Sequence, residues 1–291
     1  MNIAFISHLL TSSIIFYILS AGFKFFLKLR LNIDFSYIWI ILFASYVTAI
    51  LNVTYGVGMI FSSIIARFGS IGFTIIILYL SKRLSHIYFV VGTLALYMFM
   101  FELALNWKSV TGGSLGISGI SRILIWNIHI STTSTYAGIT IIGGSLLLLW
   151  LVYFKKTYIY TLLKWRWENE KILQTLWTYT SWYTLILILL TSLCAVIGGT
   201  LYTFYYRYID PSSFWFNMLI LLLVISFISY RQGEILTLLT AICVISGYEY
   251  LRFFKIVDPS LLGYVREIIF AIIIMGTSFV TFRTTNFARQ Q

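Results

Sequence analysis

Apolar residues run through this chain in blocks, not in stripes. Uncharged stretches long enough to cross a bilayer recur from the first residues onward, and the short segments between them hold the Lys, Arg, Asn and many of the Gly residues. A spanning helix needs about 20 mainly apolar residues, with about 17–25 tolerated. By that measure spans are predicted near residues 3–22, 36–58, 69–81, 85–105, 136–153, 178–202, 214–229, 235–251 and 265–282. The pattern is that of an all-α, polytopic transmembrane helical bundle with about nine spans, eight to ten being the range. The stretch 69–81 is short, and FSSIIAR before it is polar enough to predict a broken or re-entrant helix lining a cavity. The first block lacks a basic start and a small-residue cleavage site, so it reads as a retained membrane helix. No repeat, low-complexity run or linker divides the chain, and residues 1–291 form a single transmembrane domain.

Composition hardens this picture. The chain is 60% hydrophobic and 10% charged, with a mean hydropathy of +0.92, whereas soluble domains are about 25% charged. The net charge of +11 sits in short loops instead of on one basic face, which excludes a nucleic-acid partner and points to membrane lipids. Counting Lys and Arg by side gives thirteen against seven for an N-out, C-in topology. That topology places residues 111–122 outside and residues 155–177 inside. Cys194 and Cys243 lie inside apolar blocks, which argues against a disulfide framework or a metal cluster.

Two segments break the apolar monotony. The first, TGGSLGISGISR at residues 111–122, holds four glycines in twelve residues, so backbone and not side chains is what it presents. GGSLG around Ser114 misses the nucleophile pattern GxSxG, and no Walker A run is present, so neither acyl transfer nor phosphate binding is assigned to it. The second is the charged stretch KWRWENEKILQTLW. Its Ile172, Leu173, Leu176 and Trp177 recur at helical spacing while Glu168, Glu170, Lys171 and Gln174 fall mostly elsewhere, predicting an amphipathic helix on the inner face. His8, His86 and His129 have no metal-ligand spacing. Acidic groups in apolar spans are costly and therefore informative. Glu102 and Glu249 are the two candidates, set either to line a solute or ion path or to pair with Lys108 and Arg252 near the span ends. Tyr202, Tyr205, Tyr206 and Tyr208 read as an interfacial belt.

Four blocks spread over about residues 50–255 then resemble one family. TGGSLGISGISR resembles the TGGxxGLxGIPR signature of branched-chain amino acid ABC importer permeases of the LivM type, matched at Thr111, Gly112, Gly113, Gly116, Gly119, Ile120 and Arg122, with Ser121 in place of proline. NVTYGVGMIFSSIIARFGSIGF is similar to NLLxGxxGxxSxGxxAFxxIGAY at Asn52, Gly56, Ser62, Ala66, Phe68, Ile71 and Gly72. GGTLYTFYYRYIDPSSF is similar to AGALYAxxxGYIxPxxF at Gly199, Leu201, Tyr202, Ile209, Pro211 and Phe214, and YEYLR resembles PExLR at Glu249, Leu251 and Arg252.

The resemblance implies a permease subunit in the cell inner membrane that imports branched-chain amino acids or similar small amide solutes such as urea. It is not an enzyme and holds no cofactor of its own; ATP and Mg belong to partner subunits. The implied partners are a second permease, identical or related, two cytoplasmic ATPase subunits and a periplasmic or extracellular substrate-binding protein. WENEKILQTLW resembles the family's ATPase-coupling loop RExExAAxALG. This gives a coupling segment at about 154–177 with Trp167, Glu168, Asn169, Glu170 and Trp177 at the contact, Trp167 and Trp177 replacing arginine and glycine. Asn52, Gly56, Ser62, Thr111, Gly112, Gly113, Gly116, Gly119 and Arg122 become the signature of a gate or solute-access region. Two other classes compete: an ion-coupled secondary transporter working through Glu102 or Glu249, and a membrane-embedded enzyme acting on a lipid-linked substrate.

Overall fold

The computed structural model describes residues 3–30, 35–121, 124–125, 128–129, 133–162, 180–230 and 233–250, together with 268–269, 271–273 and 276. The apolar blocks become helices: α1 (Ile3–Arg30), α2 (Ser36–Tyr55), α3 (Met59–Arg83), α4 (His86–Asn106), the single turn α5 (Lys108–Thr111), α6 (Thr133–Phe154), α7 (Thr180–Tyr206), α8 (Phe216–Ile228) and α9 (Glu234–Tyr250). Seven segments among the described residues are long and apolar enough to cross a membrane. The expected eighth span is α9, with 17 residues. Residues 268–269, 271–273 and 276 of the expected ninth are helical. The all-α polytopic bundle is therefore as predicted, while the count of nine and the direction of insertion stay expectations of the sequence.

One expectation is overturned. No break separates FSSIIAR from the rest of its span, because α3 runs unbroken through 25 residues. Its polar side chains do not need water. Ser62 donates to the Met59 carbonyl at 2.9 Å, Ser70 to Arg67 at 2.7 Å and Thr74 to Ser70 at 3.0 Å, so each hydroxyl is satisfied on the helix that carries it. Arg67 reaches sideways to α7, where its guanidinium donates to Ser192 Oγ at 2.6 Å and to the Leu189 carbonyl at 2.8 Å.

The irregular backbone lies elsewhere. After α7 the chain forms a two-residue strand (Tyr208–Ile209) and a 3-10 turn (Pro211–Phe214) before α8 begins. Phe214 is fully buried against Tyr46 and Tyr202, and its carbonyl accepts from the Tyr97 hydroxyl at 2.9 Å. Non-helical backbone is tolerated inside a membrane bundle only where protein buries it or a cavity adjoins it, and both conditions hold here.

Helices α1, α2 and α7 form the centre, and close approach between them depends on small residues. A side chain at Gly199 would lie 2.9 Å from Ser45 Oγ, the same hydroxyl that donates to the Gly199 carbonyl at 3.2 Å. Phe61, Ile75, Phe99 and Leu146 on α3, α4 and α6 point outward and give the bundle an apolar coat. The alternating helix directions leave two ends. The start of α1 and the finish of α2, α7 and α9 meet at the glycine loop; the finish of α1 and α6 and the start of α9 meet around Lys24.

Candidate functional site

At the glycine-loop end, a chamber of about 320 Å³ opens between α1, α7, α8 and α9. Ser12 and Phe16 come from α1, Tyr202 and Tyr206 from α7, and Met218 and Leu221 from α8; Ile245 and Glu249 on α9 close it. The i, i+3, i+4 spacing sets Tyr202, Tyr205 and Tyr206 on neighbouring positions of one helix face. The interfacial belt expected there is in part a chamber wall: the Tyr202 and Tyr206 rings meet at 4.5 Å, tilted by 43°, and Tyr205 meets Tyr136 at 5.1 Å. Glu249 has a 14% exposed side chain and lies 4.0 Å from His8 Nε2. The other His8 nitrogen shares a 2.6 Å hydrogen bond with the Tyr205 hydroxyl.

The glycine loop lines no part of this chamber and instead braces its rim. Thr111 folds the loop onto α4 with its one hydroxyl hydrogen shared between the Ala104 and Trp107 carbonyls at 2.7 and 2.8 Å, and its hydroxyl oxygen accepts from the Gly113 N–H at 3.3 Å. A two-residue strand (Ile117–Ser118) then pairs antiparallel with Tyr208–Ile209. Gly116, at φ 66° and ψ −164°, abuts the Ile209 carbonyl, a place no Cβ can occupy. Arg207, itself left-handed at φ 57°, donates to the Ile120 carbonyl at 3.2 Å. The loop thereby clamps the segment that carries Ser212 and Ser213 to the chamber.

Asn52, at the end of α2, ties into the same loop. Its amide donates to Ser121 Oγ at 2.8 Å and to the Val57 carbonyl at 3.0 Å, and its Oδ1 accepts the Ser121 N–H at 2.7 Å. A proline at 121 would have no N–H to give, so Ser121 adds a bond that the usual residue cannot make.

The opposite end is charged. Glu234 opens α9 with 0% side-chain exposure, and one carboxylate oxygen accepts from Lys155 at 2.5 Å and faces Lys24 at 3.5 Å. Lys24, 1% exposed, also donates to Thr237 at 2.6 Å. The second Glu234 oxygen has no hydrogen-bond partner among the described residues. Two cations thus share one buried anion. The Lys155 ammonium lies 5.5 Å from the centre of the Phe25 ring. Burial pushes the Tyr160 hydroxyl above its ordinary range, and the charge of Glu234 adds to that. Each buried ion costs several kcal/mol in lost hydration, which its partners must offset.

A family model described as "Branched-chain amino acid transport system / permease component" matches residues 5–278. The chain belongs to this permease family. No curated protein and no solved structure matches it. As a branched-chain amino acid transport permease component it belongs to a transport family and not to an enzyme family, and its seven apolar helices make it a multi-pass membrane protein.

Within this permease the expected site residues divide. Asn52, Thr111, Gly112, Gly113, Gly116 and Gly119 come together in the loop brace. Gly56 caps α2 in the left-handed conformation, and Ser62 serves only its own helix. Glu249 lines the chamber. Glu102 is exposed and takes Asn106 as its partner at 3.1 Å, not Lys108. Arg122, Arg252 and the coupling residues Trp167, Glu168, Asn169, Glu170 and Trp177 lie outside the described residues. Among the described residues no group of three or more His, Cys, Asp or Glu is placed to hold a metal.

Sequence reasoning passed over Lys24, Glu234 and Arg67. Lys24 looked like loop charge because the span was ended at residue 22, whereas α1 continues to Arg30. The signal available was GFKFFL, a lysine flanked by aromatics with no turn residue after it.

Proposed function

We propose that this chain is the membrane-spanning permease subunit of an ABC importer for branched-chain amino acids or similar small amide solutes, working by alternating access. The family match over residues 5–278 carries the reading. The glycine-loop end faces outward, where a binding protein delivers solute to the chamber, and the lysine end faces the cytoplasm, in keeping with the thirteen-to-seven division of Lys and Arg. A second permease, identical or related, completes the membrane unit. Two ATPase subunits with ATP and Mg supply the energy, reaching this chain at Trp167, Glu168, Asn169, Glu170 and Trp177.

Lys155 stands one residue after α6 and at the head of that coupling segment. Its bond to Glu234 joins the segment to the foot of α9, and Lys24 joins the same carboxylate to α1. Both helices rise to wall the chamber. Pulling Lys155 away transfers the Glu234 charge to Lys24 alone and frees α6 from the pair, so an inner movement reaches the chamber through two rigid helices.

The test is uptake into proteoliposomes. With its ATPases and binding protein, the complex is expected to import solute only when ATP is present, and Glu168→Ala with Glu170→Ala is expected to leave ATP hydrolysis running while uptake stops. Import by the chain alone on an ion gradient sinks the proposal.

A further inference from the structure

Far from the chamber, Arg67 lies deep in the span with only neutral acceptors. It stands eight residues after Met59, about 12 Å into α3 at 1.5 Å per residue. Its guanidinium is turned onto α7, where Ser192 Oγ and the Leu189 carbonyl accept at 2.6 and 2.8 Å, and Ser70 Oγ on its own helix lies at 3.5 Å. Ser192 is close to the middle of the 27-residue α7, so the charge is held about 18 Å or more from either end of that helix. A guanidinium has five N–H donors and keeps its charge in proteins. Three neutral acceptors leave two donors and the whole charge unanswered. Among the described residues no carboxylate lies at ion-pair distance from it. A charge inside a span is costly and is kept there by pairing. Arg67 is half-buried, and helical spacing sets it at the edge of the outward face of α3, beside the exposed Ile60, Ile64 and Ile75.

We propose that the seam between α3 and α7 at Arg67 docks a membrane helix of a second permease chain different from this one, whose mid-span Asp or Glu pairs with the guanidinium. The apolar face of α3 supplies the packing surface, and the planar guanidinium suits a carboxylate, which it can hold through two N–H groups at once. A lipid phosphate lies outside the hydrocarbon, beyond the reach of a side chain fixed to the middle of α7. A second copy of this chain does not supply the acid either. Of its nine acidic residues, the three in described helices stand at helix ends: Glu102 four residues before the end of α4, Glu234 first in α9 and Glu249 next to last. By sequence the other six fall between the predicted spans or within the first three residues of the last one, 265–282. No copy inserted the same way brings a carboxylate to the level of Arg67. This deepens the permease reading, on which it rests for the presence of a second permease.

The experiment places a photo-crosslinking residue at Ile64, about one turn from Arg67, in the tagged full chain expressed in its native membrane, and identifies the adducts by mass spectrometry. The expected adduct is a different permease chain, joined within about one turn of an Asp or Glu in the middle of one of its spans. Arg67→Glu is then expected to lower the recovered complex by about tenfold or more, because breaking a buried interfacial charge pair speeds dissociation. Exchanging the partner's acid for lysine is expected to restore it, which a purely structural role of Arg67 would not allow. The cross-link leaves Arg67 in place, so it remains decisive if Arg67→Glu fails to fold. Adducts with a second copy of this chain or with lipid alone overturn the proposal, as does an undiminished complex from folded Arg67→Glu. ATP-driven uptake by an assembly whose second permease cross-links from Ile142 on α6 and not from Ile64 overturns this seam and leaves the importer standing. A charge-rescued Arg67 pair without ATP-driven uptake supports the seam and removes the importer.

Discussion

The two ends of α1 and α9 are built on opposite principles. At one end Lys24 and Glu234 meet with 1% and 0% of their side chains exposed, pinned by direct bonds and joined by Lys155. At the other, the same helices join α7 and α8 around about 320 Å³ lined by hydroxyls, rings and Glu249. The two helices are thus held at both ends, by buried ions at one and by the Phe5–Tyr250 and His8–Glu249 contacts at the other, and the chamber lies beside the second. The comparison also shows that a carboxylate's role follows from its neighbours. Glu234, with two lysines at hand, is a structural anchor; Glu249, with His8 at 4.0 Å, borders a cavity.

The contrast breaks hardest at Glu234. Replacing it with alanine leaves Lys24 buried beside Thr237 with no anion, and removal of one partner from a buried ion pair costs about 3–5 kcal/mol. Glu234→Ala is expected to lower the thermal unfolding midpoint in detergent more than Gly116→Ala, Glu249→Gln or Glu102→Gln does, and Lys24→Met in the same chain is expected to recover most of the loss. If Glu234→Ala melts like wild type, the pinned foot does not exist.

Next comes Gly116, which bears on the chamber end. Its φ and ψ of 66° and −164° fall in a region open to glycine alone, where another residue costs about 1–3 kcal/mol, and the new Cβ would strike the Ile209 carbonyl. Gly116→Ala is expected to cost about 2–3 kcal/mol and to slow ATP-driven uptake, because the displaced strand leads into Ser212 and Ser213 at the chamber. Unchanged uptake in this variant would show that the loop does not hold the chamber's rim.

Much of the fold was legible because a bilayer imposes length and polarity on each span, and α2, α4, α6 and α7 begin and end close to where their apolar runs do. The unbroken α3 was not, since serine and threonine look polar in sequence yet bond back to their own helix, as Ser62, Ser70 and Thr74 do. The glycine loop was readable as tight turns, and Gly112, Gly113, Gly116 and Gly119 all have positive φ. What it serves was not readable, because the pairing of Ile117–Ser118 with Tyr208–Ile209 joins segments far apart in the chain and leaves no local trace. The ion cluster was hidden for the same reason. Lys24, Lys155 and Glu234 each sit next to a span end, where loop charge is expected, and only the fold brings them to one point.

Glu102 supplies the smallest effect and the sharpest control. In sequence it ranks with Glu249 as an acid within an apolar run. In the fold it is exposed on α4, accepts a hydrogen bond from Asn106 one turn on and lines no described chamber. Exposed polar pairs on a helix contribute about 0.2–0.5 kcal/mol. Glu102→Gln keeps the hydrogen bond to Asn106 and removes only the charge, so unfolding temperature and ATP-driven uptake are both expected to stay within error of wild type. A gradient-driven carrier that protonates Glu102 during its cycle would instead lose transport outright in this variant. Full uptake by Glu102→Gln beside impaired uptake by Glu249→Gln would separate the two acids by their surroundings alone, since both are glutamates within apolar runs near a span end.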